Sequence, residues 1–174
     1  MKRSRWMLGL LPWCATALAA APAPLGRLER VEIEDARPIV VTAQLDGRLE
    51  RTTLYALDIK YFSRDGQTWV RFTVDNGDVL PGQRVTLSRR VLRDQQIRLR
   101  NGGIEHRPLV ALDLCLGQRR LPAEVDLRER QGYTPPLVLG PAELARLPGV
   151  DPARQYTSDP ACAPPTAAAA PKEN

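Results

Sequence analysis

Histidine occurs once in this chain of 174 residues, and cysteine only three times. With a single histidine, His106, no His-Glu-x-x-His and no paired-cysteine spacing, a protein zinc site is not expected. Gly-x-Ser-x-Gly is absent too. A Cys115–His106 pairing would join two residues at odd spacing on one expected strand, where side chains point to opposite faces, so a nucleophilic triad finds no support. No glycine-rich loop follows a strand, which removes the backbone cradle a nucleotide phosphate needs; no cofactor is expected. Apolar runs are short. None reaches the roughly 20 residues of a membrane-spanning helix.

What the sequence does have begins at its first residues. Lys2-Arg3-Ser4-Arg5 precedes an apolar run from Trp6 to Ala17 and then the small-residue triplet Ala17-Leu18-Ala19. That order is expected of a signal peptide over residues 1–21, followed by an Ala-Pro linker over 22–27. Leu11-Pro12-Trp13 is too bulky for lipidation at Cys14. The expected location is periplasmic or secreted, with no stable membrane span after cleavage. Removing the leader lowers the formal charge from +5 to about +2. The arginines are spread over alternating segments rather than clustered, so no nucleic-acid partner is expected.

From residue 28 apolar and polar residues alternate in Val31–Ile33, Ile39–Ala43, Trp69–Val74, Ile97–Leu99 and Leu109–Leu114, the period of half-buried strands. Between them lie turn signals able to supply a residue with positive φ: Asp46-Gly47, Asp65-Gly66, Asp75-Asn76-Gly77-Asp78, Asn101-Gly102-Gly103 and Leu116-Gly117. The expected architecture is one all-β domain over 28–157 with a single short helix, Pro141–Leu147, opened by proline and closed before Gly149. Residues 158–174, rich in Ala and Pro without periodicity, read as a disordered tail. Tyr61–Thr73 reads as a hairpin turning at Asp65-Gly66, with Tyr61, Phe62, Trp69 and Phe72 on its arms as core residues and cross-strand pairs. Two readings of Cys115 and Cys162 stand. A disulfide would close a 47-residue loop and contribute on the order of 3 to 4 kcal/mol; otherwise Cys115 is a buried thiol and Cys162 a loose one.

Ala43-Gln44-Leu45-Asp46, Leu137-Val138-Leu139-Gly140, the stretch Tyr55–Val74 and Arg100–Pro108 together resemble the bacterial family named ATP-dependent zinc proteases, which is similar to retroviral-type aspartic proteases. The resemblance covers about Leu28–Tyr156. It implies a retropepsin-like acid-protease barrel in which each chain gives one aspartate from an Asp-Thr-Gly-Ala turn, so that a homodimer assembles the catalytic pair. Asp46 stands at that position. The hairpin with Tyr61, Phe62 and Trp69 would be the substrate-binding flap, and Leu137–Gly140 the segment supporting the catalytic turn. The family's zinc and ATP find no residues here. Its association with enzymes that ligate amino acids to proteins implies an amide substrate.

The catalytic turn departs from that pattern. Gly47-Arg48-Leu49 replaces Thr-Gly-Ala, removing the hydroxyl that braces the two turns across the dimer axis. It also places a cation beside an aspartate that must share a proton with its partner. Asp-Gly is moreover a common hairpin turn, so a structural Asp46 stands beside a catalytic one. The expectations are a degenerate domain that binds peptide or protein, an active homodimeric aspartic peptidase using Asp46 of two chains, or an assembly component unrelated to the cleft.

Overall fold

The computed structural model describes residues 23–77 and 79–163. The expected signal peptide and the last eleven residues of the expected tail, 164–174, lie outside them. The chain forms β1 (Leu25–Ile33), β2 (Ile39–Leu45), β3 (Thr53–Arg64), β4 (Gln67–Asp75), β5 (Arg84–Arg98), β6 (Ile104–Leu116), β7 (Arg119–Glu129), β8 (Leu137–Leu139), α1 (Pro141–Leu144) and β9 (Val150–Gln155). The all-β expectation holds, and each alternating segment falls in a strand apart from Leu99, which lies just past the end of β5. The first strand starts at Leu25, inside the expected linker, because Leu25 is buried and pairs with Val150 of β9.

Hydrogen bonding closes the strands into two rings that share β3, β7 and β6: β3–β4–β5–β6–β7, and β3–β8–β2–β1–β6–β7. Closure leaves few free edges, with β9 bound to β1 alone. The apolar half of each alternation turns inward. Leu54, Val110, Val125 and Leu127 share one core with Val41, Ala43, Leu137 and Leu139, so a one-residue slip in any strand would turn its core residues outward.

Strand β7 is hard to read in sequence, since Pro122 interrupts it. Pro122 sits in the half of β7 that only β6 pairs, opposite Asp113, while β3 joins from Asp126 onward; a residue without an N–H is tolerated where one neighbour is missing. The helix is shorter than expected. Leu144 and Ala145 donate to carbonyls four residues back, but Arg146 and Leu147 to carbonyls three back, and Pro148 cannot extend the coil.

The end of the described chain is fastened. Glu29 is fully buried. Its Oε1 accepts from the Gly26 N–H at 2.5 Å, the Thr157 N–H at 3.0 Å and the Thr157 hydroxyl at 2.5 Å, and its Oε2 from the Ser158 N–H at 3.1 Å. Cys115 and Cys162 are joined in a disulfide, and the Ala161 N–H donates to the Gly117 carbonyl at 2.6 Å. Residues 156–163 thus run as a strap over β1 and the β6–β7 turn.

Candidate functional site

The apolar alternation of β2 ends at Leu45 and delivers Asp46 to the strand's end. The next strand in sequence, β3, is not its neighbour. Instead β8 lies between them, parallel to β2 with Leu45 opposite Leu139, and antiparallel to β3 with Val138 opposite Thr53. Residues 46–52 therefore arch over the end of β8. Gly140 lies beneath the arch, where a Cβ would stand 2.5 Å from the Thr52 nitrogen and 2.6 Å from the Arg51 carbonyl carbon. Only glycine fits there. The Gly140 N–H donates to Thr52 Oγ1 at 2.8 Å, and that hydroxyl donates to Glu143 Oε2 at 2.5 Å. Thr52 and Glu143 are both buried, so a chain of two hydrogen bonds fastens the arch to β8 and α1.

At the arch's start Asp46 is held by its own neighbours. Arg48 Nε lies 3.1 Å from Oδ2, the Arg48 N–H donates to Oδ1 at 3.1 Å, and the Gln44 amide donates to Oδ2. Both oxygens thus have donors. The Arg48 side chain is 82% exposed against 18% for Asp46, and so open an ion pair is worth at most about 1 kcal/mol. Gly47 follows at φ +63°, the left-handed conformation that glycine adopts without strain.

Asp46 and Gln44 belong to the face of the sheet opposite the core. Registers place Gln44 beside Val138, Val138 beside Thr53, Thr53 beside Asp126 and Asp126 beside Leu109, a row of five residues on that face. The next row over puts Tyr55 beside Arg128. Asp126 is buried, and neither its Oδ1 nor the Nε of Arg128 finds a hydrogen-bond partner among the described residues. Burial raises the Asp126 carboxyl above its ordinary range, against the opposing pull of Arg51, Arg128 and Arg107. The hydrogen bond from Arg107, whose Nε stands 2.8 Å away, lowers the Glu105 carboxyl. Burial raises the Tyr55 hydroxyl, and Tyr133, its ring centroid 4.0 Å away, adds to the shift.

The four aromatic residues on the arms of the hairpin separate, and Phe72 is buried in the core. Phe62 and Trp69 are cross-strand partners with ring centroids 6.3 Å apart, Arg71 over the first and Arg64 over the second. Tyr61, adjacent in the strand, turns to the other face and donates to Asp94 Oδ1 at 2.8 Å, while His106 Nδ1 lies 2.6 Å from Asp94 Oδ2. Burial and Asp94 both raise the Tyr61 hydroxyl. Sequence reasoning overlooks Thr52, Asp94, Asp126, Arg128 and Glu143. Asp94, Asp126 and Arg128 lie in alternating strands, Glu143 in α1 and Thr52 in the arch, and only the tertiary structure sets what each of them faces.

Zinc, which the resemblance brings in by name, can be tested on donor chemistry. Among the described residues, Glu34, Cys115 and Cys162 bring three ligand atoms within 4.8 Å of one another, but both sulfurs are spent in the disulfide. A metal centre needs thiolates, and these residues do not fit one.

Comparison with known proteins bears on the family. Residues 24–161 match the model of the RimB-like family, described as retropepsin-like aspartic endopeptidase RimB. Curated relatives carry the name "Probable alpha-L-glutamate ligase". The one from Shewanella halifaxensis is 23% identical over 158 residues, covering 90% of this chain and 30% of that protein. The one from Desulfotalea psychrophila is 26% identical over 120 residues, covering 66% and 25%. The chain therefore spans less than a third of the length of these relatives. A crystal structure of a protein of unknown function from Legionella pneumophila superposes with a TM-score of 0.64 at 25% identity, over 79% of this chain and 98% of that one. With four-fifths of its length matched by one family model and its strands closed as described, the chain belongs to the RimB-like family of retropepsin-like aspartic endopeptidases.

Proposed function

We propose that this chain is an exported member of that family whose catalytic turn is degenerate, and that it binds a peptide or protein in the periplasm with little or no hydrolysis. The observation that carries the proposal is the occupied Asp46 carboxylate, with Gln44, the Arg48 backbone and the Arg48 guanidinium on its two oxygens. An aspartic protease needs two such carboxylates sharing one proton around a water, one acting as base and the other as acid. The Gln44 amide, the Arg48 backbone and the Arg48 guanidinium take the lone pairs the water would use. Export rests on the basic, apolar and small-residue order of residues 1–21. The test incubates the mature chain with a diverse peptide library from about pH 4 to 7, beside Asp46→Asn. Peptide retention without cleavage by both proteins is the expected result. Cleavage that disappears in Asp46→Asn would overturn it.

One observation favours a second reading, an active homodimeric aspartic peptidase that cuts a peptide or amino-acid amide bond through Asp46 of two chains. The support beneath the turn is intact, with Gly140 packed against Arg51 and Thr52 and bonded to the Thr52 hydroxyl. A monomer at micromolar concentration in analytical ultracentrifugation rules this reading out, because one chain offers half a dyad.

A further inference from the structure

We propose that the Asp46 side of the sheet holds, at Asp126 and Arg128 of β7, a subsite for a primary carboxamide side chain, glutamine or asparagine, of a bound peptide, with these two as its specificity-determining residues. The subsite presupposes peptide binding on the Asp46 face. Gln44, which bonds Asp46, and Asp126 stand three strands apart in one row. At about 4.8 Å per strand they are about 14 Å from each other, the span of roughly four residues of extended peptide. A chain lying against Asp46 reaches Asp126 within its own length.

The chemistry of the ligand follows from what Asp126 and Arg128, in adjacent rows of that face, leave unpaired. Asp126 Oδ1 is a buried acceptor without a donor, and Arg128 Nε a buried donor without an acceptor. The two residues alternate on the same face of β7, two positions apart. Buried polar atoms in folded proteins are seldom left unpaired, and leaving one so is destabilising. An aliphatic ligand leaves both unpaired. An ammonium offers Asp126 donors but nothing to Arg128, and it enters beside the three cations Arg51, Arg107 and Arg128 whose fields act on Asp126. A carboxylate gives Arg128 an acceptor, and the same three cations draw it in, but it carries no donor and leaves Asp126 Oδ1 unpaired. A primary carboxamide carries an N–H donor and a carbonyl acceptor side by side, so one planar group satisfies Asp126 and Arg128 together without adding charge.

Access is through side chains rather than backbone. Arg107 and Arg128 are partly buried, and Tyr55, Tyr133 and Arg130 stack alongside, with the Arg130 guanidinium 4.9 Å from the Tyr133 ring centroid. Arginine stems have several rotamers, so they can part for a ligand without opening the sheet. The raised Asp126 carboxyl agrees with a group buried without a donor of its own.

The test uses the mature chain carrying Asp46→Asn, so that no cleavage complicates binding, and acetylated pentapeptides scanned at each position with Gln, Glu, Lys or Leu. Calorimetry should show one position at which Gln binds about tenfold tighter than the other three. Asp126→Leu and Arg128→Met should each abolish that preference while the Leu peptide binds as before. Equal affinity for all four side chains, or a Gln preference that survives both substitutions, overturns the subsite but leaves peptide binding standing. Failure of every peptide to bind overturns both.

Discussion

Glu29 holds the strap that carries the second half of the disulfide, and its substitution by glutamine isolates that role. The replacement has the same shape, so packing is unchanged. Three backbone N–H groups, from Gly26, Thr157 and Ser158, and the hydroxyls of Thr157 and Ser158 converge on the carboxylate. Glutamine keeps one acceptor oxygen and turns an NH2 toward donors that used the other. If the kept oxygen takes the place of Oε1, the Ser158 N–H faces a donor; in the opposite orientation the Gly26 and Thr157 N–H groups do. A stranded donor costs about 1 to 3 kcal/mol when buried, as at Gly26, and less when half-buried, as at Thr157 and Ser158, and the remaining bonds lose their charge assistance, so the total loss is about 2 to 4 kcal/mol. Urea unfolding of Glu29→Gln and the parent, both with the disulfide closed, reads this as a lower midpoint at unchanged slope. Hydrogen exchange should show the Thr157 and Ser158 amides losing protection first. A loss below about 0.5 kcal/mol, or protection at those amides equal to the parent's, would refute the view that Glu29 fastens the strap.

Reducing the Cys115–Cys162 disulfide should lower stability by on the order of 3 to 4 kcal/mol, from the entropy returned to a 47-residue loop. In Glu29→Gln the loss should be smaller, since both fastenings hold one strap, and a double-mutant cycle measures the shortfall. Gly140→Ala drives a Cβ to 2.5 Å from the Thr52 nitrogen and should cost about 3 kcal/mol or more, read from denaturant midpoints. Asp126 has its carboxyl raised by burial. A folded value above the unfolded one gives stability that is whole below the ordinary carboxyl range and declines as pH rises through the folded value. Asp126→Asn should therefore gain on the parent between about pH 3 and pH 7, and a constant difference across that range would contradict a raised carboxyl.

The hairpin was legible because Asp65-Gly66 names its turn and residues around it alternate; both Asp65 and Gly66 take positive φ. Sorting its aromatics was not, since Tyr61 meets Asp94 and His106 on strands that sequence distance hides. Asp46 was legible as the polar end of an apolar strand. That its oxygens are occupied by Gln44 and Arg48 depends on the backbone path of the arch. Thr52 and Glu143 are 91 residues apart in sequence, and no local pattern marks them as partners.

Sequence alone determined the strand periods, the turn chemistry, the short helix behind Pro141 and the departure at Gly47-Arg48, because these depend on residues a few positions apart and on backbone preferences each residue carries with it. Tertiary structure decided which strands are neighbours, and with that everything that converges from a distance. The insertion of β8 between β2 and β3 forces the arch around Asp46, and the row through Val138 and Thr53 sets Asp126 on the same face. Such contacts follow from the order of strands in a closed sheet, which alternation leaves open because every strand of period two fits equally well beside any other.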